Sequence, residues 1–305
     1  MWHSVKLSTP IVESSAGRFG EEGLARTRVE LVSRVPLLEK LLLRAGPELK
    51  RITRRPFARA LSPFRGAERP KLIHCCYHKV GTTWFSRVLR DVAATHGMRF
   101  AIGHEYPAIH RLEHDRDIDV FVDPGCHVEL DAIGPFVGSH MLRDPRDVVV
   151  SAYFYHRWTQ ETWANIPMAQ YRNMTYREYL NAVDQDEGIA TEIERAEFWV
   201  RQMLRWNYSD PRILEIRYED IRVNERETFR ALFTHYGFHD AAVERSCRIA
   251  ARYTFDRRAG GPGTHLRSGA VGEWRDYFRS FHKDLFKKRY PTALERLGYE
   301  KDENW

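Results

Sequence analysis

Cysteine is scarce in this chain, at four in 305 residues, and Cys75, Cys76, Cys126 and Cys247 show no metal-ligand spacing. They read as reduced packing residues, since neighbours Cys75 and Cys76 would face opposite sides of a strand. No apolar run approaches the roughly 18 residues needed to cross a bilayer, which excludes a membrane-spanning segment. The opening stretch MWHSVKLSTPIVESS lacks the basic start and apolar core of a secretory leader. A cytoplasmic protein is therefore expected. Neither repeats nor low-complexity tracts occur. The formal net charge of +6 is a moderate excess that favours anionic ligands by steering, but nucleic-acid, membrane and nucleotide binders all share it. What the chain has is core. A hydrophobic fraction of 43% over 305 residues suffices for one large domain or two small ones without disulfide staples.

The first seventy residues differ from the rest. Residues 28–65 are rich in arginine, with Val29, Leu31, Val32, Val35, Leu38 and Leu42 falling mostly on one helical face, and Pro36, Pro47, Pro56 and Pro63 divide the stretch into short pieces. Residues 1–70 read as a basic helical extension packed on a core, and peripheral contact with a membrane surface is the competing reading. From Lys71 onward, short apolar runs alternate with helix-like ones. Leu72 to Cys76, Val120 to Val122, Val128 to Leu130, Phe136 to Leu142 and Ile213 to Ile216 read as strands. Tyr176 to Val183, Ile189 to Trp206, Glu225 to Tyr236 and Ala241 to Tyr253 read as amphipathic helices. The pattern predicts an α/β domain over residues 71–305, with a central parallel sheet flanked by helices and ligands at the C-terminal strand ends.

Three segments carry the chemistry. In Lys71 to Leu89, KLIHCCYHKVGTTWFSRVL, an apolar strand passes into a helix through a turn holding Lys79, Gly81, Thr82 and Thr83. Free N–H groups and the dipole of a helix N-terminus attract an oxyanion, Gly81 lets the backbone approach it, and Lys79 adds a mobile charge. The lysine precedes the glycine, so the Walker pattern of ATP-hydrolysing proteins is absent. In Gly134 to His156, a strand ends at Arg143, Asp144 can cap the next helix, and Pro145 suits its first turn. Arg143 and Ser151 would reach one phosphate if strand end and helix border a common groove. In Arg252 to Phe278, a glycine-rich loop places Arg267 beside Gly269, a cation on a flexible backbone.

These segments resemble, in order, the phosphate-binding elements of the cytosolic and Golgi sulfotransferases. Tyr77-His78-Lys79-Val80-Gly81-Thr82-Thr83-Trp84 is similar to that family's 5′-phosphosulfate loop, Tyr-Pro-Lys-Ser-Gly-Thr-Thr-Trp, with His78 and Val80 replacing its proline and serine. Arg143 to Ser151, RDPRDVVVS, resembles its 3′-phosphate segment almost letter for letter. Arg267-Ser268-Gly269 and Gly272-Glu273-Trp274 look like its Arg-Lys-Gly and Gly-Asp/Glu-Trp pair, with one cation lost at Ser268. The resemblance implies a P-loop-like sulfotransferase fold and binding of 3′-phosphoadenosine 5′-phosphosulfate (PAPS), with adenosine 3′,5′-bisphosphate (PAP) as product and no metal. It further implies that Lys79, Val80, Gly81, Thr82 and Thr83 hold the 5′ end, that Arg143, Ser151, Arg267, Ser268 and Gly269 hold the 3′-phosphate, and that Trp84 and Phe255 sandwich the adenine.

Sulfuryl transfer resembles phosphoryl transfer in needing mainly position and charge neutralisation. Lys79 would stabilise the bridging oxygen as PAP departs, and a base must take the acceptor's proton. His127 is the leading candidate by position in the family pattern, with Glu129 and His140 open. The acceptor, a hydroxyl of a small molecule, lipid or carbohydrate, is not encoded legibly; loops within Gly103 to Asp117 and Trp158 to Glu187 should form its pocket, and no nucleic acid is expected. A nucleotide kinase would need a Walker lysine and an acidic magnesium ligand, and a non-enzymatic polyanion-binding module would not explain three ordered segments.

Overall fold

The computed structural model describes residues 62–65, 69–103, 112, 118–254 and 267–305. The chain divides into residues 1–57 and 58–305, and every described residue lies in the second unit. Most of the expected N-terminal extension thus falls outside the described residues. At its described edge, Phe64 forms an isolated bridge to Phe238, their rings edge-on at 5.5 Å.

Five strands form one all-parallel sheet: β1 (Lys71–Cys76), β2 (Phe100–Ile102), β3 (Val120–Asp123), β4 (Phe136–Leu142) and β5 (Ile213–Arg217), in the order β2-β3-β1-β4-β5. The central strands are buried on both faces, which is why β1, β3 and β4 read as continuous apolar runs rather than as alternation. Parallel neighbours require crossovers, and helices supply them. Helix α1 (Thr82–Thr95) links β1 to β2 and buries Trp84, Phe85, Val88, Leu89 and Val92, one face at helical spacing. Helix α2 (Pro145–His156) follows β4. Asp144 caps it by accepting the Arg146 N–H, Pro145 begins it, and Val148, Val149, Val150, Ala152 and Tyr153 bury it nearly all round.

Helices α3 (Tyr176–Ala182), α4 (Gln185–Arg195) and α5 (Glu197–Arg205) precede β5, and α6 (Tyr218–Val223), α7 (Glu225–His235) and α8 (Asp240–Ala250) follow it. Two expectations change. Val128 to Leu130 is not a strand, because the Asp123 carboxylate accepts the N–H groups of Gly125, His127 and Val128 and folds the segment into a loop. The single helix expected over Ile189 to Trp206 is two, α4 and α5, meeting at Ala196.

Candidate active site

The sheet order reverses between β1 and β4, since β1 connects towards β2 on one side and β4 towards β5 on the other. At such a switch point the loops leaving the C-terminal strand ends part and open a crevice. Here they border a cleft of about 1600 Å³. Lys79, Gly81, Thr82, Thr83, Trp84, Arg143, Ser151, Arg267, Ser268, Gly269 and His127 all line it. Val80 does not. Its side chain is fully buried in the core beneath the loop, which suits the valine that stands where the family pattern has serine. Phe255 lies outside the described residues.

The first loop is built around two left-handed residues, Lys79 (φ 61°) and Gly81 (φ 105°). Gly81 caps α1 with its backbone alone, its carbonyl accepting the N–H groups of Trp84 (2.9 Å) and Phe85 (3.1 Å). The first-turn N–H groups of Thr82 and Thr83 have no intrahelical acceptor by construction, and the helix dipole adds positive potential there. Thr82 turns its hydroxyl inward, donating to the Tyr77 carbonyl at 3.0 Å, whereas Thr83 is exposed. The half-buried Lys79 places Nζ 3.9 Å from the centroid of the Tyr155 ring. Burial first, and then the Arg143 guanidinium, push its ammonium down to about 7, against an opposing pull from Glu161.

Arg143 joins the segments. It is 4% exposed, donates from Nη1 to the Lys79 carbonyl and from Nη2 to the Ala270 carbonyl, both at 3.0 Å, and stacks 4.4 Å over the Tyr218 ring. Its Nε is buried with no hydrogen-bond partner among the described residues, a donor left for an anion. Ser151 lines the cleft from α2, half-buried. Arg267 pairs with Glu273 at 2.6 Å and stacks 4.0 Å over Phe154, and Ser268 donates to the same carboxylate at 2.8 Å.

Asp147, which sequence reasoning passed over, pins this third segment. Its two oxygens accept the N–H groups of Gly272 (2.7 Å) and Trp274 (2.9 Å), and burial is the main cause raising its carboxyl above the usual range. The other charges of the RDPRD run are structural. Arg146, 1% exposed, chelates Asp144, lies 2.6 Å from Glu300 and stacks on Trp274 and Trp305.

The three candidate bases separate. His127 is exposed at the cleft; Asp123 holds its backbone and, through its ring, raises its basicity. Gly125 lies under that ring, where a Cβ would come within 1.8 Å of it. Glu129 is exposed and does not line the cleft. His140 is fully buried within β4, bonded to Glu215 at 2.6 Å and to the Tyr77 hydroxyl at 3.1 Å, and stacked on Trp206. A further histidine pair, unforeseen, stands in the cleft wall. His78 meets His156 at 3.1 Å, and His156 meets Glu192 at 2.5 Å. Nothing in the sequence links positions 78, 156 and 192.

The cleft continues past Lys79 to Trp158, Glu161, Trp163 and Ile166, within the expected loop, and to Arg195, Phe198, Trp199 and Gln202 on α4 and α5, which were not anticipated. Among the described residues no group of three His, Cys, Asp or Glu side chains could hold a metal ion, and no helix is long and apolar enough to cross a membrane.

No curated protein sequence matches the chain. The crystal structure of mouse sulfotransferase SULT7A1 complexed with PAP is similar over 78% of this chain and 89% of its own, with 16% identity and a TM-score of 0.52, which shows a shared fold. Retinol dehydratase in complex with androsterone and inactive cofactor PAP aligns at 14% identity over 79% of this chain and 86% of its own, with a TM-score of 0.44. A family model described as the sulfotransferase domain matches residues 140–298, slightly more than half of the chain and spanning the segments of Arg143, Ser151 and Arg267. With that match laid over a parallel sheet whose switch point gathers the three basic segments, the chain belongs to the sulfotransferase domain family.

Proposed function

We propose that the cleft binds PAPS and that the protein moves its sulfuryl group to a hydroxyl of a small-molecule, lipid or carbohydrate acceptor, releasing PAP. One observation carries the reading: a single guanidinium, Arg143, bonds the Lys79 loop on one side and the Arg267 segment on the other. Two anion-binding segments are thereby set at a fixed separation, as a nucleotide with phosphates at both ends of its ribose requires. The cleft volume supports two ligands, since about 300–1,000 Å³ serves one drug-sized molecule.

Each part then has a task. The Thr82 and Thr83 N–H groups at the start of α1 hold the 5′-phosphate. Arg143, Ser151 and Arg267 hold the 3′-phosphate, with Arg267 exchanging or sharing its Glu273 partner. Lys79 neutralises charge on the bridging oxygen as the S–O bond breaks, an interaction that grows in the transition state. Trp84 offers a wall for the adenine; it is buried, edge-on to Phe229.

Calorimetry tests this directly. PAP should bind without magnesium and ATP weakly; tight, magnesium-dependent ATP binding would favour a kinase instead. Lys79→Ala should reduce turnover by on the order of 100-fold or more while weakening PAP binding far less, and equal losses would show that the lysine only binds.

A further inference from the structure

We propose that His78 is the catalytic base of the transfer and that His156 and Glu192 are positioning residues forming a hydrogen-bonded relay behind it. This rests on the sulfotransferase reading above and assigns the proton acceptor within it. The relay takes the tautomers that set a neutral His156 between Glu192 and His78. With His156 neutral and its Nδ1–H donated to the fully buried Glu192, the His156 Nε2 carries a lone pair. That nitrogen lies 3.1 Å from the His78 Nε2, and only one proton fits between them, so His78 donates it. The His78 Nδ1 is then the bare, basic nitrogen. The rings are nearly parallel, at 13°, and His78 lines the cleft directly beside Lys79.

The surroundings favour a neutral, proton-accepting His78. Tyr155 and Trp199 flank its ring, and His156, Lys79 and Arg195 are the charged or titratable groups that face it. Burial first, and then cations around it such as Lys79 and Arg195, hold its imidazole well below the ordinary histidine range. The second oxygen of Glu192, Oε2, is buried with the Tyr176 hydroxyl as its neighbour, a costly setting for a carboxylate that only packs. A positive charge arriving on His156 would offset that cost. His127 is tuned the other way, since Asp123 favours its protonated form.

In the step, the acceptor oxygen forms its bond to sulfur while its proton passes to the His78 Nδ1. The bridging S–O bond of PAPS breaks, and its electron pair leaves on the 5′-phosphate oxygen of PAP beside Lys79. The His78 Nε2 proton moves to the His156 Nε2, so the charge comes to rest next to Glu192, and the proton is later lost to solvent.

The test compares two probe acceptors on the full chain: 4-nitrophenol, used where it is already ionised and needs no base, and 1-pentanol, which must lose a proton. His78→Gln and Glu192→Gln should each lower transfer to the alcohol by on the order of 100-fold while leaving PAP binding and transfer to the phenolate within a few-fold. Wild-type alcohol transfer should persist as pH falls below the ordinary histidine value; a base at His127 would lose it above that value. An alcohol-selective loss that follows His127→Gln instead of His78→Gln overturns the relay. So does histidine ¹⁵N NMR of the PAP-bound protein showing a charged His78 at neutral pH, a readout that needs no turnover. Failure to bind PAP at all would sink the sulfotransferase reading, a separate result.

Discussion

Lys79 carries two obligations that conflict in the free protein. In the proposed transfer it acts as an ammonium that stabilises a leaving oxygen, yet burial and Arg143 bring it down to about 7. Phosphates of PAP placed against it would favour the charged form and raise that value. The sign follows from linkage: a group whose basicity rises on binding takes up a proton, so affinity is full at low pH and weakens as pH climbs above about 7. Calorimetry at about pH 8 in two buffers of different ionisation heat should show uptake approaching one proton per PAP. Lys79→Ala should abolish that uptake. Affinity independent of pH across this range would mean that the lysine stands apart from the phosphates. The lysine itself was legible in the sequence, since strand, turn and helix are contiguous around it. Its altered basicity was not, because Tyr155 and Arg143 reach it from other parts of the chain.

At the scale of elements, α2 works as a bracket with the cleft on one side and the third basic segment on the other. Asp147 supplies the grip through two charge-assisted bonds to the N–H groups of Gly272 and Trp274. Such bonds contribute about 1.5–3 kcal/mol each. Asp147→Asn keeps the shape but turns one acceptor oxygen into a donor facing another donor. Amide exchange at Gly272 and Trp274 should accelerate, and PAP affinity should fall on the order of tenfold; unchanged exchange would show that the segment is held elsewhere. Elements were read unevenly from sequence for related reasons. Strands β1, β4 and β5 announced themselves as apolar runs, whereas β2 is three residues long and only partly buried, too little pattern to see. The strand expected at Val128 failed because one carboxylate, Asp123, claimed three backbone donors. The break between α4 and α5 falls at Ala196, the residue type with the highest helix propensity, so no local signal could mark it.

Across the whole molecule, the site depends on closing the far end of the chain onto α2. Arg146 is the joint: fully enclosed, it holds Asp144 at the helix cap, Glu300 some 150 positions later, and the faces of Trp274 and Trp305. The order of the basic segments was visible in sequence because each is short and contiguous, but this closure was not, because arginine so close to Asp144 and Asp147 reads as a solvated surface pair. Removing one member of a buried ionic cluster strands the rest, typically at about 3–5 kcal/mol. For a domain of this size each kcal/mol moves the midpoint by about 2–4 °C, so Arg146→Ala should lower Tm by roughly 6–20 °C. Arg146→Met keeps the stem packed between the tryptophans but still leaves Asp144 and Glu300 unpaired, and it should recover only part of the loss. If thermal unfolding shows both variants within a degree or two of the native protein, the cluster is solvated in solution and the third basic segment owes its position to Asp147 and Arg143 instead.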